Sequence, residues 1–217
     1  MALIRSEKMK VPRQIWQVWF GKRMPKKYRK YRKSWQKHHP NWTFHLITEK
    51  NLYDYDFMDF DILHLCNNYS EMSDAIRWNA VAEHGGIWLD SDFLCLKCIE
   101  PLINDLECFI STEDNYHLCG GFFGAVKGHH ITKRLAGLVE PTLKATMDKP
   151  SDHRIGPKWV TENISWDEIT VLPKKYFYPY LPGQQRERDT FRSKGEAYAV
   201  HIWGGSWLKQ PKQELVI

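Results

Sequence analysis

Asp90-Ser91-Asp92 sets two carboxylates at i and i+2. On a turn they can address one point, and carboxylate oxygens suit hard divalent cations such as Mn2+ or Mg2+. A cation held by one or two protein carboxylates keeps positions open for phosphate oxygens, and it can neutralise a diphosphate as it leaves. Alone, an Asp-x-Asp triplet is usually just a turn. Here it follows a helical stretch over 73–84, Gly85-Gly86 and the apolar run Ile87-Trp88-Leu89. In open α/β sheets, ligands bind outside the carboxyl ends of strands, which is where this pair falls.

The elements that must position the pair follow from pattern. Residues 13–20 are β-branched and aromatic, end at Gly21, and predict a buried first strand. Residues 26–37 predict a helix starting near Pro25, and residues 42–48 a second strand. Strand, helix, strand at this spacing predicts an α/β fold with a mostly parallel sheet. Residues 53–68 read as a loop with a short helix. Over 73–84, Met72, Ile76 and Ala80 recur at helical spacing, Ser73 is a plausible N-cap, and Gly85-Gly86 stops the helix. Strands are expected over 87–89, 107–112, 121–126 and 197–203. Helices are expected over 129–147, with a break at Pro141, and over 157–164. The whole chain, 1–217, reads as one domain, with 1–10 and 208–217 as flexible ends.

Charge is unevenly spread. Residues 1–37 hold 13 Lys and Arg against Glu7, a local +12, while the whole chain is only +5. Such asymmetry suggests an anionic partner near this end, or a solvated face. Within 22–37, Tyr28, Tyr31 and Trp35 form one helical stripe expected to pack on the sheet, leaving the cations outward. Those cations could meet an anionic membrane or nucleic acid phosphates, or simply face solvent. Aromatic content of 14% excludes disorder as the main state. No stretch approaches the roughly 18 apolar residues of a membrane span, and no signal peptide is visible at the N-terminus. Five cysteines, an odd count, fit a reduced compartment, and a cytoplasmic location is expected. Cys95 and Cys98 have CxxC spacing, but no second CxxC completes a zinc site.

Ser73 to Asp92, SDAIRWNAVAEHGGIWLDSD, resembles the signature of DXD-containing, GT-A-fold retaining glycosyltransferases. That group includes fungal initiating mannosyltransferases, bacterial capsular sugar transferases and, more distantly, clostridial glucosylating toxins. Val11 to Gly21 resembles the family's first strand, with Trp16 where many relatives carry His. Ile155-Gly156-Pro157 resembles a Gly-Pro step ahead of a helix, and Ala199 to Trp207 the closing His…Ser-Trp segment.

The resemblance implies a GT-A, Rossmann-like domain. It implies an enzyme that moves a hexose from a nucleotide sugar, UDP favoured and GDP possible, to a glycan or polysaccharide hydroxyl. Retention would proceed by front-face transfer, the metal-bound diphosphate helping to receive the acceptor proton. Position by position, Trp19 matches the residue that stacks on the nucleotide base. Asp74 and Arg77 match contacts to the donor sugar and phosphate. Asp92 matches the direct ligand of Mn2+ (or Mg2+), and Asp90 a contact to ribose, sugar or metal. His201 matches a metal or phosphate contact, and Ser206 and Trp207 the cap over the donor. Asp74, Asp90 and Asp92 are the expected catalytic carboxylates. Lys26, Lys27, Arg29 and Lys30 are candidates to meet the acceptor, which could be hydroxymethylated DNA in a viral or phage-type enzyme. A rival of another class is a non-catalytic polyanion- or carbohydrate-binding adaptor.

Overall fold

In the computed structural model of the protein, residues 10–150, 154–182, 184 and 195–204 are described. Six strands form the central sheet: β1 (Gln14–Val18), β2 (Thr43–Ile47), β3 (Gly86–Leu89), β5 (Cys108–Thr112), β6 (Leu118–Ala125) and β7 (Thr170–Leu172). Their order is β2-β1-β3-β6-β5-β7. β1 pairs in parallel with both β2 and β3, and β5 in parallel with β7. β6 runs against β3 on one side and β5 on the other. Five strands therefore share one direction, and the expectation of a mostly parallel sheet holds. The one reversal comes from the β5–β6 hairpin.

Adjacent residues of the strands go to opposite faces, as a pleat requires. Trp16, Trp88, Ile110 and Phe123 join one core. Ile15, Ile87, Phe109 and Phe122 join the other. The first core is covered by α2 (Tyr69–His84), α4 (His130–Ala145) and α5 (Pro157–Asn163). The second is covered by α1 (Lys26–His38) and by a separate ribbon in which β4 (Phe93–Cys95) pairs antiparallel with β8 (Ala199–His201). A short α3 (Glu100–Ile103) follows β4.

Several expectations need correction. The helix ahead of the glycine pair begins at Tyr69, and its cap is Asn68, whose Oδ1 accepts from the Glu71 N–H at 3.0 Å. Ser73 lies inside the first turns. The apolar rhythm starts only at Met72, so it hides a first turn whose buried residue is the carboxylate Glu71. Pro141 does not break α4. Ile131, Leu135, Val139 and Leu143 are buried at four-residue spacing on both sides of it, and that burial outweighs the lost hydrogen bond. The loop with a short helix expected over 53–68 agrees with the 3-10 helix Phe60–Leu65, and a second 3-10 turn, Leu52–Asp54, overlaps its start. The closing strand is shorter than 197–203 and lies in the small ribbon instead of the main sheet. β4 and β7, three residues each, were too short for periodicity to reveal.

Gly86 shows why two glycines end α2. It has φ 96°, and a Cβ there would stand 2.8 Å from the Gln14 carbonyl oxygen. Glycine allows this close approach of β3 to β1.

Candidate active site

β3 is buried at every residue between β1 and β6, so its carboxyl end projects Asp90-Ser91-Asp92 at the end of the parallel strands. The turn is tied on three sides. The Asp90 N–H donates to the Gly121 carbonyl at 2.9 Å, the Ser91 hydroxyl to the Val18 carbonyl at 3.0 Å, and the Ile202 N–H to the Asp92 carbonyl at 3.0 Å.

The two carboxylates do different things. Asp90 Oδ1 accepts from Arg77 Nη2 at 3.0 Å and from the Trp88 indole at 2.9 Å. Arg77 Nη2 also meets Asp74 Oδ1 at 2.7 Å, so one guanidinium joins helix α2 to the turn. Burial pushes the Asp90 carboxyl above its ordinary range, with Arg77 opposing and Asp92 adding to the rise. Burial pushes Asp74 up to about 7 against the pull of Arg77. Arg77 itself, despite burial, is raised by the two carboxylates and stays charged.

Asp92 faces the closing strand. Its Oδ1 lies 2.9 Å from His201 Nε2, and its Oδ2 accepts from the Gly204 N–H at 2.8 Å. Burial would raise this carboxyl, yet the charge and hydrogen bond of His201 and the Gly204 N–H outweigh it, and Asp92 is held below its ordinary range. Burial would lower His201, but Asp92 first, then Asp90 and Glu113, raise it. The outcome is one carboxylate locked to a guanidinium and a second kept ionised beside an imidazole.

Unmet polar capacity collects here. Arg77 Nε and His201 Nδ1 are buried without a hydrogen-bond partner among the described residues. Such groups cost about 1–3 kcal/mol each unless a ligand or water answers them. Asp92, an ionised carboxylate, suits a divalent cation, and His201 could join it as a ligand once its proton is released. Among the described residues, the side chains grouped closely enough to share one ion are Glu113, Asp114 and His117, and Asp90, Asp92 and His201 do not form such a group. An ion at the acidic turn would therefore have few protein ligands.

The remaining expected residues fall as follows. Trp19 lies just beyond β1, half-buried, with its indole N–H donating to the Lys22 carbonyl at 2.8 Å and its ring 4.8 Å from that of Tyr28. Tyr28 reaches the turn, because a Cβ on Gly204 would stand 2.5 Å from its hydroxyl and 3.3 Å from Asp92 Oδ2. Trp19 and the acidic turn are thus linked through Tyr28. Lys26, Lys27, Arg29 and Lys30 lie exposed on α1. Ser206 and Trp207 lie outside the described residues. Trp16, which replaces the family's His, stacks on His45 at 3.8 Å and donates its indole N–H to the Gly85 carbonyl. The CxxC cysteines are free. Burial pushes the Cys95 thiol up to about 12, away from the thiolate that metal or redox chemistry needs.

Sequence reasoning missed Tyr178 and Gly121. A Cβ on Gly121 would lie 2.8 Å from both Asp90 Oδ2 and the Tyr178 hydroxyl. Asp90 cannot yield without giving up Arg77 and Trp88. Gly121→Ala is therefore expected to cost about 1–3 kcal/mol through overpacking. Thermal denaturation checks this, and an unchanged midpoint would show that Asp90 is free to swing away. Glu113 was missed as well. It is half-buried after β5, and burial raises its carboxyl while the Cys119 thiol, hydrogen-bonded to it, opposes.

The sequence and the fold have matches among known proteins. The model of the capsular polysaccharide synthesis protein family matches residues 3–138. Lactosylceramide 4-alpha-galactosyltransferase of Pan troglodytes is 29% identical over 157 residues, 61% of this chain and 41% of that protein. Inositol phosphoceramide mannosyltransferase 1 of Schizosaccharomyces pombe is 23% identical over 214 residues, 93% of this chain and 64% of that protein. The chain thus spans less than two thirds of the length of either relative. Among solved structures, PaToxG glycosyltransferase superposes with TM-score 0.59 at 16% identity, covering 73% of this chain and 70% of the other. A galactosyltransferase solved with donor and acceptor sugar analogues gives TM-score 0.54 at 13% identity, covering 89% and 88%. The architecture is that of the GT-A glycosyltransferases.

Proposed function

The chain belongs to the capsular polysaccharide synthesis protein family, and from that membership we propose that it is a metal-dependent, retaining glycosyltransferase. It moves a hexose from a nucleotide sugar, a UDP-sugar first, to a hydroxyl of a glycan or glycolipid. The observation that carries this reading is the divided acidic pair: Asp90 fixed to Arg77, and Asp92 kept ionised beside His201 at the end of β3. The names of the relatives, a galactosyltransferase of lactosylceramide and a mannosyltransferase of inositol phosphoceramide, support sugar transfer and a glycolipid-type acceptor.

Asp92 and His201 are the residues that would hold Mn2+ or Mg2+, with Asp90 close by. Bound there, the cation would neutralise charge on the departing diphosphate. The chain's own residues do the rest. Arg77 supplies fixed positive charge from a buried helix, and its geometry is set by Asp74 and Asp90 before a donor arrives. Asp74, raised to about 7, can accept from or donate to a sugar hydroxyl. Trp19 offers an aromatic face near the turn for a nucleobase.

A panel of UDP- and GDP-sugars with Mn2+, read by mass spectrometry, tests the reading. At least one donor is expected to be consumed. Chelation by EDTA should stop consumption and added Mn2+ should restore it. Undiminished turnover after rigorous metal removal would remove metal dependence. No consumption of any donor would favour the adaptor alternative.

A further inference from the structure

Helix α1 concentrates exposed cations on one side, with Lys27 exposed beside that stripe and Arg32 half-buried against Phe44. Lys26, Arg29, Lys30, Lys33 and Lys37 are all exposed. At about 100° per residue they fall within an arc of about 100°, opposite the buried Tyr28 and Trp35. The helix contains no acidic residue, and none of the five is in an ion pair among the described residues. Lys26, Arg29, Lys30 and Lys33 are the described residues that line one open groove of ≈ 450 Å³.

This arrangement works against the helix. Lys26–Lys30, Arg29–Lys33 and Lys33–Lys37 are like-charge i,i+4 pairs, each unfavourable by a few tenths of a kcal/mol. Lys26 and Lys27 also sit in the first turn, where no acid balances the positive end of the helix dipole. An ordinary solvated face interleaves both signs. An external anionic surface would relieve every one of these contacts together.

We infer that the exposed face of α1 docks on an anionic lipid bilayer and thereby holds the sugar-transfer site against the membrane. The side chains say which polyanion fits. The stripe from Lys26 to Lys37 is straight and about 16 Å long, a shape that lies flat on headgroups. Of its aromatic residues Tyr28 and Trp35 are buried and Tyr31 is half-buried edge-on to Tyr28, so the exposed stripe itself carries no ring platform for a nucleobase. Location agrees: Tyr28, on the inner side of the same helix, touches Gly204 beside Asp92, and the Trp35 indole donates to the Phe93 carbonyl next to it at 3.0 Å. A helix is about 10 Å across, so headgroups beneath α1 would lie about that far from the acidic turn. The inference rests on the transferase reading for its purpose, and it names the acceptor class as membrane-borne.

Sedimentation of the full chain with vesicles tests it. The protein is expected to pellet with phosphatidylcholine vesicles that contain phosphatidylglycerol, to stay soluble with phosphatidylcholine alone, and to be released by high salt. Each surface cation contributes about fivefold to partitioning, so Lys26→Glu/Lys30→Glu/Lys33→Glu is expected to lose at least about a hundredfold. Circular dichroism reports whether that variant is folded; the triple Gln variant serves in its place if it is not. Equal binding to both vesicle types, or equal binding by variant and wild type, would overturn the inference. So would duplex DNA that strips the protein from vesicles at matched phosphate concentration, an outcome that assigns the stripe to nucleic acid. Donor turnover is scored separately in vesicle-free solution. Vesicle binding without turnover would therefore count against the transferase reading, and turnover without vesicle binding against the membrane alone.

Discussion

Asp92→Ala is expected to reduce sugar transfer by at least about a thousandfold while the protein stays folded. The estimate follows from what the carboxylate would supply. Charge neutralisation at a departing diphosphate is worth several kcal/mol, and each 1.36 kcal/mol is about tenfold in rate. Asp92 is held below its ordinary range beside His201, so it offers an ionised oxygen donor. Asp90 differs in that its Oδ1 is held by Arg77 and Trp88, so its charge is already balanced by the guanidinium. Truncation also strands His201 and the Gly204 N–H, so Asp92→Asn is the sharper variant. It keeps an acceptor for that N–H but lacks the negative charge. Both variants should fail equally in the Mn2+ donor assay. Full turnover by a folded Asp92→Ala protein would end the metal-assisted reading. An active Asp92→Asn beside an inactive Asp92→Ala would mean that the residue shapes the closing segment instead of meeting an ion.

The largest loss of stability is expected at Arg154. Its side chain is 0% exposed and pairs with Glu71, 1% exposed, at 2.7 Å. The same guanidinium donates to the Leu65 carbonyl at 3.0 Å, the Leu143 carbonyl at 2.8 Å and the Thr146 hydroxyl at 3.2 Å. It thereby joins the start of α2, the turn before it and the end of α4. Arg154→Met would leave a buried carboxylate unpaired, a change that costs about 3–5 kcal/mol. Domains of this kind hold only about 5–15 kcal/mol in total. Urea denaturation should show the loss as a lower midpoint. The double variant Arg154→Met/Glu71→Leu should recover much of it, because the stranded charge is then gone. A single-variant loss below about 1 kcal/mol would mean that water reaches Glu71 and that the pair is not sealed.

Both predictions concern residues that the sequence exposes to different degrees. Asp92 is visible at once, since a helix, two glycines, an apolar strand and the acidic pair are contiguous in the chain. Arg154 and Glu71 are 83 residues apart. Arg154 stands one residue before the Ile155-Gly156-Pro157 motif, and no local pattern distinguishes it from a surface arginine. The same holds inside helices. Ile76 and Ala80 announce α2, but its first turn, capped by Asn68 and carrying Glu71, was invisible to hydrophobic rhythm.

By itself the sequence determined the α/β class, the parallel opening of the sheet, the order of the motifs and the family they resemble. Those properties depend on side-chain period and on short spacings, which are local. Only the tertiary structure decided that Asp90 pairs with Arg77 while Asp92 faces His201. It alone brought Tyr28 of a basic helix to the acidic turn, and it alone sealed Arg154 against Glu71. These outcomes depend on which groups lose water together and which charges then stand within hydrogen-bond reach. Desolvation and electrostatic pairing are set by distance in space, and spacing along the chain carries little trace of them.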